Sequence, residues 1–198
     1  MKLDGKHIIL GSNSPRRREL LKGLDIDFEV DTGNNFEESF APDTPFDQVP
    51  RLMAEGKSKG FHRPLKEGEI LITADTMVIL PPEGGKAGEI LGKPKDRQDA
   101  IRMLRDLSGR KHHVTTAVTL RNRYKTETFE VTTQVWFKAL SQEEITYYVD
   151  TYKPFDKAGA YAIQEWIGHV GITRIEGSYF NVVGFPVQRV WEHLQAFL

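Results

Sequence analysis

Residues 69–80, EILITADTMVIL, are dense in β-branched side chains and read as a strand, yet they carry one carboxylate, Asp75, between the apolar stretches ILITA and TMVIL. Such a strand belongs in a mostly buried sheet. The chain therefore places an ionisable group inside that sheet or at its mouth, which costs free energy unless the group is paired or bound to metal. Two readings stay open: a functional carboxylate, or a strand-end or bulge aspartate hydrogen-bonded by a neighbour.

The segments around it mix strands and helices. HIILG at 7–11 reads as a short buried strand. Ser14 is placed to cap a helix that begins at Pro15 and turns Leu20, Leu21 and Leu24 inward. Residues 26–31 read as a second strand, and the acidic stretch 34–47 as a loop. VPRLMAEGKSKG reads as a helix that Gly56 weakens. PPEGGKAG is a turn leading from the 69–80 strand into a short hairpin partner, EILG. Asp96 is positioned to cap a helix that runs to Leu107 and ends at Gly109. VTTAVTL and ETFEVTTQVWF form a long antiparallel pair around Asn122, with alternation that predicts one solvated face. Ser141 and Glu144 make a capping box for a helix to about Val149. Residues 158–183 read as Gly-rich strands and turns, and a last helix starts at Pro186 with Val190, Trp191 and Leu194 inward. This mixture with hairpins predicts an α/β or α+β fold with a mixed sheet, not a doubly wound parallel one. The 198 residues suit a single folding unit, with two lobes that close around a cleft.

Charge and composition narrow the chemistry. With 27 Lys+Arg against 28 Asp+Glu the formal charge is -1, so no global field draws the chain onto nucleic acid, and any anion recognition is local. The chain has no cysteine, which excludes a disulfide scaffold, a thiolate metal site and a cysteine nucleophile. MKLDGKHIIL lacks a signal-peptide pattern, and no stretch reaches the roughly 20 apolar residues of a membrane span, so no membrane association is expected.

GSNSPRRREL puts Arg16, Arg17 and Arg18 in the first turn of a helix whose N–H groups already favour an anion, with the Ser12 and Ser14 hydroxyls nearby. The bland alternative is a capped surface helix with solvated arginines, and no Walker loop is present. Glu37 and Glu38 lie in the acidic loop and offer a second carboxylate for Mg2+. Lys57 and Lys93 are surface lysines by default, although Lys93 sits in a Gly-Lys-Pro turn. His112 and His113 lack a companion cluster and read as structural. Gln164 closes AGAYAIQ with an amide able to read a base edge, and Asn181 is the one polar candidate in GSYFNVVGFP.

In order along the chain, SNSPRRREL, ADT at 74–76, GKP at 92–94, LSGRKHHVTTAV, DKAGAYAIQ and GSYFNVVGFP resemble the Maf family of nucleotide pyrophosphatases over nearly the whole length. The resemblance implies an elongated mixed sheet flanked by helices, with a cleft between two lobes, related to the inosine-triphosphate pyrophosphatases. It implies hydrolysis of the α–β phosphate bond of nucleoside triphosphates with Mg2+ or Mn2+, in a cytoplasmic protein that often forms a homodimer. By the same resemblance Asp75 is the general base, and Glu38 with Asp75 holds the metal. Ser12, Arg16, Arg17, Lys57 and Lys93 bind phosphates. Arg16, Thr76 and Gln164 match the subgroup that prefers dTTP and UTP over the one acting on 7-methyl-GTP. The chain departs from the family at Glu165-Trp166, where Gly is usual, in the enlarged 81–88 turn, and at Gly56. A purine-directed pyrophosphatase and a non-catalytic nucleotide-binding regulator of cell division are the competing expectations.

Overall fold

The computed structural model describes residues 3, 5–85 and 87–198. Seven strands are formed: β1 (His7–Leu10), β2 (Phe28–Val30), β3 (Glu69–Leu80), β4 (Glu89–Leu91), β5 (Lys111–Arg121), β6 (Thr126–Phe137) and β7 (Ile172–Glu176). The helices among the described residues are α1 (Pro15–Lys22), α2 (Val49–Lys59), α3 (Arg97–Leu107), α4 (Gln142–Tyr152), α5 (Trp166–Gly171), α6 (Tyr179–Val183) and α7 (Val187–Gln195).

The strands make one mixed sheet in the order β2-β1-β3-β5-β6-β7, with β4 added beside β3. β1 runs parallel to both neighbours, Ile8 lying opposite Phe28 on one side and Ile70 on the other. β4 is antiparallel to β3 (Val78 opposite Leu91), and β7 is antiparallel to β6 with a bulge at Trp136/Phe137.

The chain divides into two compact units. The first comprises Met1–Asp75, Thr116–Val131 and Gly184–Leu198. Its core gathers Ile8, Leu10, Leu21, Ile70, Ile72, Phe185, Val190 and Leu194. The second comprises Thr76–Thr115 and Thr132–Val183, around Leu91, Leu104, Leu107, Val114, Tyr148 and Ile167. Among the described residues, no helix is long and apolar enough to cross a membrane.

Local signals set most boundaries. Ser14, Asp96 and Ser141 cap α1, α3 and α4 through their side chains, and Ser141 with Glu144 completes the capping box. Asn122 closes the β5–β6 turn by accepting from the backbone N–H groups of Tyr124 (2.8 Å) and Lys125 (2.7 Å).

Two expectations are overturned. The solvated face expected of the β5–β6 pair is kept by β6, where Thr126, Glu130 and Thr132 are exposed, but not by β5: Thr115, Thr116 and Thr119 are buried with its apolar residues. β5 lies between β3 and β6 in the sheet, and two of its threonines pair with hydroxyls of β6, Thr115 with Thr132 and Thr119 with Thr128, each at 2.9 Å. Residues 158–183 are not strands and turns throughout, because WIGHVG and YFNVV are the short helices α5 and α6. Helices of that length hold only through packing, so propensity does not announce them. Asn181 is buried on α6 and donates through Nδ2 to Val114 O and Thr133 Oγ1, both at 3.0 Å, which makes it an anchor of the second unit.

The His112–His113 expectation of a structural role agrees with the geometry. His112 is fully buried, bonded through Nε2 to the Tyr161 hydroxyl at 2.7 Å and stacked on Phe137. Burial holds its imidazole down to about 3. Unfolding exposes it to water, where it takes up a proton near pH 6.5. Because the folded-state value is depressed, stability is lost as pH falls from about 6.5 towards 3, at roughly 1.4 kcal/mol per pH unit for such a group. His113, lowered by partial burial, adds to the same slope. Urea unfolding between pH 6 and 5 should therefore show a shallower pH slope in His112→Gln than in wild type, and equal slopes would assign the acid loss to other groups.

Candidate active site

The geometry begins at the carboxyl end of β1. β1 lies between two parallel neighbours, and alternate residues of β3 face opposite ways. Leu21 of α1 clusters with Ile70, Ile72 and Ala74, whereas Ala54 of α2 meets Thr73. α1 and α2 thus lie on opposite faces of the parallel trio. The carboxyl end of a strand whose neighbours are served by helices on opposite faces is where open α/β sheets bind ligands.

Gly11 to Ser14 leave β1 at that point and start α1. Ser12 is buried, and its Oγ accepts from Ser14 N and from Arg17 Nη1, each at 3.3 Å. Arg17 also donates from Nε to Gly184 O (3.0 Å) and from Nη1 to Ala74 O (2.9 Å). Burial pulls its guanidinium below the ordinary value, and the attraction of Asp75 and then of Glu38 works against that. Arg17 therefore stitches α1 to the residue immediately before Asp75, a positioning duty that sequence reading did not foresee. Arg16 is half-buried beside it.

Thr73 and Asp75, two apart on β3, share a face, as do Ala54 and Lys57, three apart on α2. Thr73 Oγ1 donates to Ala54 O at 2.8 Å and so registers the helix on the strand. One turn further on, Lys57 Nζ sits 2.6 Å from Asp75 Oδ1. Asp75 is thus a mid-strand carboxylate, neither at a strand end nor in a bulge, paired with a lysine from a facing helix. Its Oδ2 is buried and has no hydrogen-bond partner among the described residues.

The acidic loop is tied down upon α2. Asn34 Nδ2 donates to Lys57 O (2.6 Å), and its Oδ1 accepts from Phe36 N (2.8 Å). Phe36 packs so closely over α2 that a Cβ on Gly56 would lie 2.2 Å from its ring, and one on Gly60 would lie 2.7 Å from its Cβ. Gly56 therefore does not interrupt the helix carrying Lys57, which continues to Lys59. It makes room for the loop that brings Glu38 Oε1 to 3.2 Å from Lys57 Nζ.

Lys57 so bridges two carboxylates, the exposed Glu38 and the buried Asp75. Among the described residues, no group of three or more His, Asp or Glu is placed to hold a metal. The Glu38 and Asp75 carboxylates, both drawn to one ammonium, fit a hard divalent cation that completes its shell with phosphate and water oxygens.

Thr76, Lys93 and Gln164 belong to the second unit. Thr76 is half-buried on β3, and Lys93 and Gln164 are exposed. The Gly-Lys-Pro turn is tied to the 158–160 turn by Gly159 N donating to Gly92 O at 3.0 Å. Gly159 has φ +69° and would place a Cβ 3.0 Å from Val78, so glycine is required there twice over. Beside Gln164 lies a network that sequence reading missed: Lys157, Glu165 and Tyr148.

A family profile described as Maf-like protein matches residues 7–197. A Bacteroides thetaiotaomicron protein named dTTP/UTP pyrophosphatase is 44% identical over 98% of this chain and 97% of its own. A protein of the same name from Porphyromonas gingivalis is 46% identical, covering 96% and 94%. Another from Flavobacterium psychrophilum is 47% identical, covering 98% and 95%. Among solved structures, that of the Staphylococcus aureus Ham1 protein matches with a TM-score of 0.53 at 16% identity, over 98% of this chain and 100% of that one, which shows a shared fold.

The Phe36 packing predicts an effect opposite to helix propensity. Gly56→Ala should raise intrinsic helix stability by about 1 kcal/mol, yet the added methyl displaces Phe36. The variant should show no gain in melting temperature and faster proteolytic cleavage within 35–47. A higher melting temperature with unchanged cleavage would refute the packing argument.

Proposed function

The chain belongs to the Maf-like family, and on that premise we propose that it hydrolyses pyrimidine nucleoside triphosphates, dTTP and UTP foremost, to the monophosphate and pyrophosphate. The observation that carries the reading is the Lys57-paired Asp75, with its open Oδ2, beside Glu38 and the arginines that start α1.

Lys57 holds Oδ1 and leaves Oδ2 as the acceptor. Oδ2 takes a proton from a water as the water attacks the α-phosphorus in line. The α–β phosphoanhydride bond breaks, and pyrophosphate leaves with the bonding electrons. Arg16, Lys57 and Lys93, with the Ser12 hydroxyl, bind phosphate oxygens and offset the charge that develops on the leaving group. Arg17 contributes positive charge while its Nε and Nη1 stay engaged with Gly184 O, Ala74 O and Ser12 Oγ.

Glu38 and Asp75 are the residues that would hold a divalent cation, Mg2+ or Mn2+. When bound, it neutralises triphosphate charge. Thr76 and Gln164 contact substrate, and the Gln164 amide reads the pyrimidine edge. These assignments follow the family motifs ADT and AYAIQ.

Pyrophosphate release from dTTP, UTP, CTP, 7-methyl-GTP and ITP, with Mg2+ or Mn2+, tests the reading. Selective turnover of dTTP and UTP is expected. Asp75→Asn should lower kcat by at least on the order of 10³, since it removes a proton acceptor and a cation ligand together. Retained turnover in that variant would defeat the mechanism. Preference for 7-methyl-GTP or ITP would reassign the base class.

A further inference from the structure

Gln164 is the exposed tip of a turn that is otherwise buried: Ala160, Tyr161, Ala162, Ile163 and Ile167 are all inside the second unit. The turn closes on itself through Glu165 N donating to Ala162 O at 3.1 Å. α5 presses against it so closely that a Cβ on Gly168 would fall 1.8 Å from Ile163 O.

A polar network spans the same turn from beneath. The Tyr148 hydroxyl donates to Glu165 Oε2 and accepts from Ala162 N at 3.2 Å. Burial raises the Tyr148 phenol well above its ordinary value, so it stays protonated and keeps the donor role. The other oxygen of Glu165, Oε1, lies 3.4 Å from Lys157 Nζ, which is also 2.8 Å from Asp156 Oδ1. Lys157 is buried and Tyr148 fully so.

Burying a lysine and a partly covered glutamate costs several kcal/mol before their attraction offsets it, and apolar residues would fill the space at no such cost. What the network provides is geometry. Tyr148 bonds to both ends of the turn, and Lys157 fixes the glutamate that Tyr148 holds.

We propose that Tyr148, Glu165 and Lys157 are positioning residues for Gln164, and that selection of the pyrimidine base depends on this network. The inference rests on the reading of Gln164 as the base contact. Without the network the turn samples several conformations, and a base-reading amide loses its fixed direction. Binding of the phosphates is untouched.

The test compares wild type with Tyr148→Phe, Glu165→Ala, Glu165→Gln and Gln164→Ala, each first shown to be folded by thermal melting. The readouts are kcat and KM for dTTP and ITP, and the inhibition constant of inorganic tripolyphosphate, which carries the phosphates and no base. Tyr148→Phe and Glu165→Ala should each lower the dTTP-to-ITP ratio of kcat/KM about tenfold, mainly through KM for dTTP. Tripolyphosphate inhibition should stay at the wild-type value. Glu165→Gln, which keeps an acceptor for Tyr148, should retain most of the ratio. Tyr148→Phe should add nothing further in a Gln164→Ala background, as expected of residues acting through one another.

If Gln164→Ala lowers the ratio while folded Tyr148→Phe and Glu165→Ala do not, the positioning role is overturned and the base contact stands. If Gln164→Ala leaves the ratio unchanged, the base contact fails, and the positioning role fails with it. An equal loss of tripolyphosphate binding would mark a general structural defect and overturn the proposal.

Discussion

Lys57 Nζ, 2.6 Å from Asp75 Oδ1, compensates a carboxylate that β3 carries into the interior of the first unit. Removing one partner of such a pair leaves an uncompensated buried charge, at a cost of about 3–5 kcal/mol, so the pair constrains everything that supports it. The lysine must come from a helix laid across the right face of β3. Thr73 fixes that helix by bonding to Ala54 O, on the face that Asp75 shares. The same lysine meets Glu38 only because Asn34 and Phe36 hold the acidic loop against α2 at Gly56 and Gly60. A strand residue, a helix residue and a loop residue are in this way coupled through one ammonium group.

The pair also leaves one oxygen of the carboxylate open. With Oδ1 engaged by Lys57, Oδ2 remains open in a buried setting. Arg17 adds to this from the opposite side of the sheet, bonding the carbonyl of Ala74 next to Asp75. The location at the carboxyl end of the central parallel strand follows from the β2-β1-β3 order, a general property of open α/β sheets.

Much of the fold is legible along the chain, because its signals are local. Caps at Ser14, Asp96 and Ser141, the β-branched run at 69–80 and the Asn122 turn each act within a few residues. The misreadings share one cause. Thr115 and Thr119 look like a solvated face until Thr132 and Thr128 are brought opposite them. WIGHVG and YFNVV have no strong propensity and become helical through packing. Gly56 looks like a flaw in a helix and is instead the space into which Phe36 fits. Each depends on a residue distant in sequence.

The sequence by itself determined the element types, the mixed α/β class, the family and the presence of a carboxylate in β3 that had to be compensated, since these depend on composition, short-range periodicity and ordered motifs. Only the tertiary structure decided which cation compensates Asp75, which of its oxygens stays open, that Arg17 braces the strand, and that Tyr148 and Glu165 hold the Gln164 turn. Those outcomes require groups 14 to 57 positions apart to meet within hydrogen-bonding distance. Nothing in a linear pattern of residues specifies such distances until the sheet and its helices have packed.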